Sequence, residues 1–168
     1  MDFTELIDLA SERLGGAVLF ANDEFFASKE NLLKPAAPIF IEGKYTDLGK
    51  WMDGWESRRR RTPGFDWCVV RLGLPGIIRG AAVDTSHFKG NYPDRCSLQA
   101  ALVKGGTDQA VITQSMFWPE LLPQLKLAAD KVHKFEKQLR ADGPVSHVKL
   151  NIYPDGGVSR LRIFGRLA

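Results

Sequence analysis

The stretch from His147 to Phe164, HVKLNIYPDGGVSRLRIF, contains the strongest evidence for the fold class of this chain. Before the turn, Val148, Leu150 and Ile152 alternate with polar residues, which is the two-residue period of a strand with one buried face. After the turn, apolar and polar residues alternate again as far as Phe164. Pro, Asp and Gly are strong turn formers, so Pro154–Gly157 predicts a turn between antiparallel strands. The stretch therefore predicts a β-hairpin.

Other short apolar runs, rich in β-branched and aromatic residues and mostly bounded by Gly, Pro, Asn or Asp, also predict strands: Ala17–Ala21, Trp67–Leu72, Ile77–Val83, Ser97–Val103 and Ala110–Thr113. A helical period over residues 3–14 predicts one short N-terminal helix that ends at Gly15. Prolines interrupt Trp118–Arg140, which predicts a loop with one helical turn. The pattern favours an all-β antiparallel sandwich or barrel over a parallel α/β fold, as a single domain over residues 1–168.

Composition limits the class of protein. The 168 residues, 44% apolar and 26% charged, suit one domain of ordinary size and argue against extensive disorder. No apolar stretch approaches the length of about 20 residues that spans a bilayer, so no membrane partner is expected. The amino-terminal segment lacks the basic start and apolar centre of a signal peptide, which predicts a cytoplasmic location. Cys68 and Cys96 show no metal-ligand spacing and are expected to be free thiols.

The net charge of +3 is mildly basic, and the positive charge concentrates in the run Arg58, Arg59, Arg60 and Arg61. Because the run has no second basic patch beside it, nucleic acid is not expected as a partner. Two interpretations stay open. The arginines form a solvated loop surface, or their guanidinium forks hold a small carboxylate through paired hydrogen bonds.

Polar residues crowd into three segments next to predicted strands, at 22–27, 43–61 and 83–91. In the third segment, Asp84 and His87 lie three residues apart. A carboxylate beside an imidazole is a recurring acid–base unit, because the carboxylate orients the ring and raises its basicity. The same residues are equally consistent with a loop clasp in which Asp84 accepts hydrogen bonds from backbone amides.

Other kinds of site find weaker support. The sequence has no G-x-S-x-G, P-loop or H-E-x-x-H motif. A divalent cation is possible, since four loop acids offer oxygen ligands: Asp23, Glu24, Asp47 and Asp53. The alternative to an enzyme is a carbohydrate-binding module without catalysis, in which Trp51 or Trp55 stacks on a sugar ring and Asp23 or Asp47 binds its hydroxyls.

Long strings in these same segments resemble the allantoicase family (allantoate amidinohydrolases), notably GKYTDLGKWMDGWESRRRR at 43–61, VDTSHFKGN at 83–91 and HVKLNIYPDGG at 147–157. The resemblance extends over nearly the whole chain. It implies a galactose-binding-like jelly-roll sandwich and a reaction of purine (allantoin) catabolism, in which allantoate and water give ureidoglycolate and urea. Family members commonly carry two such repeats in tandem. This chain has one, which implies a homo-oligomer that replaces the second repeat.

The chemistry of that reaction suggests roles for the residues of the matched loops. We expect His87 with Asp84 as the acid–base pair, and Glu56 or Asp53 as the second proton carrier. The residues expected to bind the substrate are Lys44, Arg58, Arg59, Arg60, Arg61 and Asn91.

Overall fold

In the computed structural model, residues 2–140 and 142–168 are described. The chain forms mostly short β-strands, which are β1 Ile7–Asp8, β2 Ala17–Ala21, β3 Tyr45–Thr46, β4 Gly49–Lys50, β5 Trp55–Glu56, β6 Asp66–Asp84, β7 Arg95–Ala101, β8 Glu120–Lys126, β9 Val132–Phe135, β10 Val145–Tyr153, β11 Gly157–Val158 and β12 Arg160–Leu167. One α-helix is described, α1 Asp108–Gln114. Within the described residues, no helix is long and apolar enough to cross a bilayer.

The nineteen-residue strand β6 organises the sandwich. Its first half pairs with β2 on one side and β10 on the other, and its second half pairs with β12 and β9. The two halves therefore belong to two antiparallel layers, and side chains from both layers share one apolar core. The antiparallel sandwich is confirmed. The predicted strands Trp67–Leu72 and Ile77–Val83, however, are two halves of one strand.

The predicted hairpin is wrong, although both of its strands exist. Strand β10 lies between β6 and β7, whereas β12 lies between β6 and β1. The turn after Tyr153 leads instead into β11, which pairs with β5. The turn thus connects the two layers. Strand β10 pairs with the first half of β6 and strand β12 with the second half, and each strand buries its apolar face in that position.

Two predictions about the second half of the chain are corrected. The run Ala110–Thr113 lies in helix α1, where the hydroxyl of Thr107 caps the Ala110 amide at 3.2 Å. A short apolar run does not distinguish a strand from a buried helical turn. The stretch Trp118–Arg140 holds strands β8 and β9 rather than a loop. Pro123 is tolerated because β8 is the last strand of its sheet, where a missing amide costs no ladder hydrogen bond.

The N-terminal segment does not form the continuous helix predicted over residues 3–14. It forms two single 3-10 turns, Phe3–Glu5 and Glu12–Leu14, on either side of strand β1. The Asp8 carboxylate accepts the Ile163 amide at 3.0 Å, and Leu9 is fully buried. Pairing with the edge of β12 and burial of Leu9 outweigh the local helical period.

Candidate functional site

A cleft of about 640 Å³ opens where β5 meets the loops on either side of it. One wall is an exposed segment, residues 35–50, which we call the arm; it includes the small hairpin of β3 and β4. The other wall is the 87–91 loop that follows β6. Four predicted site residues line this cleft: Lys44, Glu56, His87 and Asn91.

Glu56 is the buried carboxyl of the cleft. Its backbone is fixed on both sides, since its amide donates to Ala27 and β5 pairs it with Gly157. Its Oε2 atom accepts a hydrogen bond from the Asn91 side chain at 2.8 Å. Burial raises the pKa of the Glu56 carboxyl above its usual value, and the Asn91 hydrogen bond offsets this only in part. A carboxyl of this kind holds its proton closer to neutral pH, as a general acid requires.

His87 is presented to the cleft by a tightly packed loop. The next residue, Phe88, is fully buried over Gly157, where a β-carbon would lie 1.9 Å from the Phe88 ring. The His87 amide donates to Asp130 at 2.7 Å, and its backbone has a φ of 74°, an unusual conformation for a residue with a side chain. The loop therefore holds His87 in one position.

The orientation of the His87 ring fixes which nitrogen is free. The ring stacks against Phe40 of the arm, and its Nε2 atom lies 3.2 Å from the Pro38 carbonyl oxygen. A carbonyl oxygen can only accept, so Nε2 carries a hydrogen, and in the neutral ring Nδ1 then presents a lone pair. In this tautomer His87 can accept a proton.

The predicted Asp84–His87 couple is not formed. The Asp84 carboxylate accepts the Ser86 amide at 2.8 Å, and its backbone oxygen accepts from Ser159. Among the described residues, no hydrogen bond joins Asp84 to the His87 ring. Asp84 is buried at the end of β6 and acts as the loop clasp that the sequence left open as the alternative.

Asp53 likewise has a structural role, and it does not line the cleft. Its Oδ2 atom lies 2.8 Å from Nη2 of the fully buried Arg160 and 3.1 Å from the Ile39 amide. Burial by itself raises the pKa of Asp53, but the hydrogen bonds from Arg160 and Ile39 outweigh it and hold the pKa below its usual value. Asp53 is thus an ionised anchor for the base of the arm rather than a proton carrier.

None of the four predicted arginines lines the cleft. Past Glu56 the chain turns away: Arg58 bonds Asp23 and lies over the Phe25 ring, and Arg60 forms an ion pair with Asp66 at 2.7 Å. Arg59 and Arg61 are exposed to solvent. The arginines that were predicted to bind a carboxylate are therefore not at this cleft, which is lined by other cations.

Those cations are lysines. Lys44, Lys50 and Lys89 line the cleft together, and the ammonium of Lys44 lies 4.2 Å from the Trp51 ring centroid. Lys44 was predicted from the sequence, whereas Lys50 and Lys89 were not, because the arginine run was expected to bind the carboxylate. The sequence does carry a signal for Lys50, since one Gly-Lys pair at 43–44 directly precedes β3 and a second, at 49–50, forms β4.

The four acids expected to offer a cation site are not gathered. Asp23 pairs with Arg58, Glu24 with Lys29, and Asp53 with Arg160. In the part of the chain that the structure describes, no group of three or more His, Cys, Asp or Glu side chains is placed to hold a metal ion.

One of the two tryptophans expected to stack on a sugar is not free to do so. Trp55 is fully buried and donates its indole hydrogen to the Asp23 carbonyl at 2.7 Å. Trp51 carries the Lys44 ammonium over its ring. Burial thus removes Trp55 from the carbohydrate-binding alternative, whereas Trp51 is half-buried.

Comparison with known proteins agrees with this geometry. The family model for the allantoicase repeat matches residues 7–168. A probable allantoicase of Burkholderia pseudomallei is 56% identical over 164 residues, which is 98% of this chain and 46% of that protein. A probable allantoicase of Pseudomonas paraeruginosa is 54% identical over 160 residues, covering 95% of this chain and 45% of that one. The chain thus spans about half the length of the curated relatives it matches.

Solved structures confirm the jelly-roll architecture. Allantoicase from Saccharomyces cerevisiae superposes with a TM-score of 0.84 at 32% identity, covering 98% of this chain and 49% of that one. A fucolectin from striped bass serum superposes with a TM-score of 0.61 at 10% identity, covering 96% of this chain and 48% of that one, and shows a shared fold only. The family match, the identity over nearly the whole chain and the superposition with the yeast protein together show that this chain belongs to the allantoicase family.

Proposed function

We propose that this cleft hydrolyses allantoate to ureidoglycolate and urea, as a step of purine breakdown. One observation supports this most directly: a buried carboxyl with a raised pKa, an imidazole with a free lone pair and three lysines line a single cleft. Acid, base and cation are what the release of urea from a carboxylate-bearing carbon requires.

The lysines bind the substrate in this proposal. Allantoate has one carbon that carries a carboxylate and two ureido groups, so a bound molecule presents negative charge at one end and N–H donors at the other. Lys44, Lys50 and Lys89 offer ammonium groups for the carboxylate. The Asn91 side chain and the Glu56 carboxyl offer acceptors for the ureido hydrogens.

Two proton transfers complete the reaction. In its protonated form, which burial favours, Glu56 gives its proton to one ureido nitrogen as the bond from that nitrogen to the central carbon breaks, and urea leaves. The oxygen of a water molecule bonds to the central carbon, and the water gives its proton to Nδ1 of His87. Return of that proton from His87 to Glu56 through solvent restores the enzyme, and the sum is allantoate plus water giving ureidoglycolate plus urea.

Urea release from allantoate by the purified chain, with and without a chelator, tests the activity and any metal requirement together. We expect His87→Gln to lower kcat by about 10²-fold or more, since general acid–base catalysis contributes about 10²–10⁴-fold. Ser86→Ala, in the same loop but outside the cleft lining, is the matched control and keeps nearly full activity. A full rate in His87→Gln contradicts the role of the imidazole.

A second pair of variants tests whether the cleft lysines or the arginine run bind the substrate carboxylate. The double variant Lys50→Gln/Lys89→Gln is expected to raise KM for allantoate about tenfold, equivalent to about 1.4 kcal/mol, because it removes two of the cations that face the cleft. The matched variant Arg59→Gln/Arg61→Gln removes the same charge from exposed residues outside the cleft and leaves KM within about twofold. Steady-state kinetics measure KM for both variants. A larger rise in KM for Arg59→Gln/Arg61→Gln would instead place the substrate carboxylate at the arginine run.

We propose that residues 1–168 form one jelly-roll domain and that a homo-oligomer supplies what the other half supplies in relatives of about twice the length. The cytoplasmic location expected from the sequence stays a prediction.

A further inference from the structure

The backbone of His87 needs support from outside its own loop. Its φ of 74° lies in the left-handed region, which residues with a side chain rarely adopt. Such a conformation persists only where the surrounding structure holds it. The segment that meets this backbone is the connection between β8 and β9, residues 127–131, which we call the brace.

Asp130 of the brace holds the chain on both sides of the peptide bond between His87 and Phe88. Its Oδ1 atom accepts the His87 amide at 2.7 Å, and its own amide donates to the Phe88 carbonyl at 3.1 Å. Asp130 lies 43 residues from His87 in the chain and does not line the cleft. Any effect of Asp130 on a reaction in the cleft must therefore pass through His87.

The brace is tied to the start of the same loop by Thr85, which is fully buried. The Thr85 hydroxyl donates to the Ala128 carbonyl at 2.7 Å, and the Thr85 amide donates to the Lys131 carbonyl at 2.9 Å. Ala128 and Lys131 lie on either side of Asp130 in the chain, so both ends of the brace are held against the loop that carries His87.

His133 fixes the brace to the end of β6. Its Nε2 atom accepts the Ala128 amide at 2.8 Å, and its Nδ1 atom lies 2.9 Å from the Val83 carbonyl oxygen. An amide can only donate and a carbonyl can only accept, so both hydrogen bonds require the neutral ring with its hydrogen on Nδ1. Burial lowers the pKa of His133, which favours this form. The position of Asp130 is thus set by buried groups of the sandwich.

We propose that Asp130 is a positioning residue for the reaction: its carboxylate fixes the His87 amide and thereby directs the imidazole into the cleft with Nδ1 free. This inference rests on the proposed function and adds the group that places its base. The far end of the loop is held separately, since the Gly157 amide donates to the Asn91 carbonyl at 2.7 Å. Loss of the Asp130 contact should therefore displace His87 and leave Asn91 in place.

The variant Asp130→Gly removes this contact with little other disturbance. Asp130 has a φ of 49°, which glycine adopts without strain, so the backbone conformation stays available when the carboxylate is lost. We expect kcat for urea release to fall about tenfold or more, since a small misplacement of a reacting group costs up to about 10²-fold. KM should stay within about threefold, because Lys44 and Lys50 lie on the arm and keep their places.

Two further variants separate the hydrogen bond from a general effect of the substitution. Asp130→Asn keeps an oxygen that accepts the His87 amide and tolerates a positive φ, so it should restore kcat to within about threefold of the wild type. Glu136→Ala removes an exposed carboxylate just after β9 and should leave kcat unchanged. Circular dichroism verifies that all three variants fold.

Nitrogen-15 NMR of the His87 ring gives a readout that needs no activity. At a pH where the ring is neutral, the wild type should show one ring nitrogen with a hydrogen and one without, and His87→Gln identifies these signals by their loss. In Asp130→Gly we expect the two signals to move towards each other, because a displaced ring exchanges between its two tautomers. Asp130→Asn should keep the wild-type pattern.

An unchanged His87 tautomer in Asp130→Gly overturns the inference, and so does a loss of kcat in Asp130→Asn or Glu136→Ala equal to that in Asp130→Gly. If the wild type releases no urea but the His87 tautomer still depends on Asp130, the proposed function fails and the positioning of His87 by Asp130 holds. If Asp130→Gly releases urea at the full rate, the inference fails and the proposed function holds.

Discussion

Glu56→Gln is expected to lower kcat for urea release by about 10²–10⁴-fold, the largest activity loss of any single substitution in the cleft. Gln keeps the size of the side chain and an oxygen that accepts the Asn91 hydrogen bond, but it carries no transferable proton. The fold therefore stays intact while the acid is removed. Steady-state urea release, measured at saturating allantoate, gives the comparison.

Glu42→Gln is the matched control, because Glu42 also lines the cleft but is exposed to solvent. It should change kcat by no more than about twofold. Both variants replace a carboxyl group of the same cleft by an amide, so an equal loss of kcat in both contradicts proton donation by Glu56 in particular.

The raised pKa of Glu56 gives this substitution two further signatures. As a general acid, wild-type Glu56 must be protonated, so kcat/KM should fall as the pH rises through its pKa, and this limb should be absent in Glu56→Gln. A carboxyl whose pKa is raised by folding favours the folded state below its unfolded pKa, and that contribution is lost as the pH rises through the folded pKa. At neutral pH, Glu56→Gln is therefore expected to be at least as stable as the wild type, which thermal unfolding can measure.

Asp53→Ala is expected to lower the free energy of unfolding by about 3–5 kcal/mol, the largest loss of stability from one polar substitution here. Arg160 is 1% exposed, and its charge would be left in the interior without a carboxylate. The Ile39 amide at the base of the arm would also lose its acceptor. Denaturant unfolding followed by circular dichroism measures the difference.

Asp94→Ala is the matched control, since Asp94 pairs with Arg95 and the two side chains are 60% and 47% exposed. Exposed ion pairs contribute about 0–1 kcal/mol, so this variant should unfold near the wild-type midpoint. Because folding lowers the pKa of Asp53, its contribution to stability is present above the unfolded pKa and is lost as the pH falls through the folded pKa. Asp53→Ala should flatten that acid limb, and equal losses from both variants would contradict the buried-pair explanation.

The fold class could be predicted from the sequence. Alternation in His147–Tyr153 and the run of short apolar segments favour an antiparallel sandwich or barrel, because each such strand must bury one face. The sequence also located part of the cleft, since the polar segments 43–61 and 83–91 hold Glu56, His87, Lys44 and Asn91.

Strand pairing and side-chain partners were decided only by the tertiary structure. Strands β10 and β12 do not pair with each other, because β6 is long enough to offer a separate partner to each. Asp53 and Arg160 lie 107 residues apart in the chain and meet only in the folded molecule. By contrast, the spacing of Asp84 and His87 left both an acid–base couple and a local clasp open, and the structure has the clasp, in which the Asp84 carboxylate accepts the Ser86 amide two residues further on. Local pattern reports which face of a segment is buried, whereas long-range packing determines what each polar group meets.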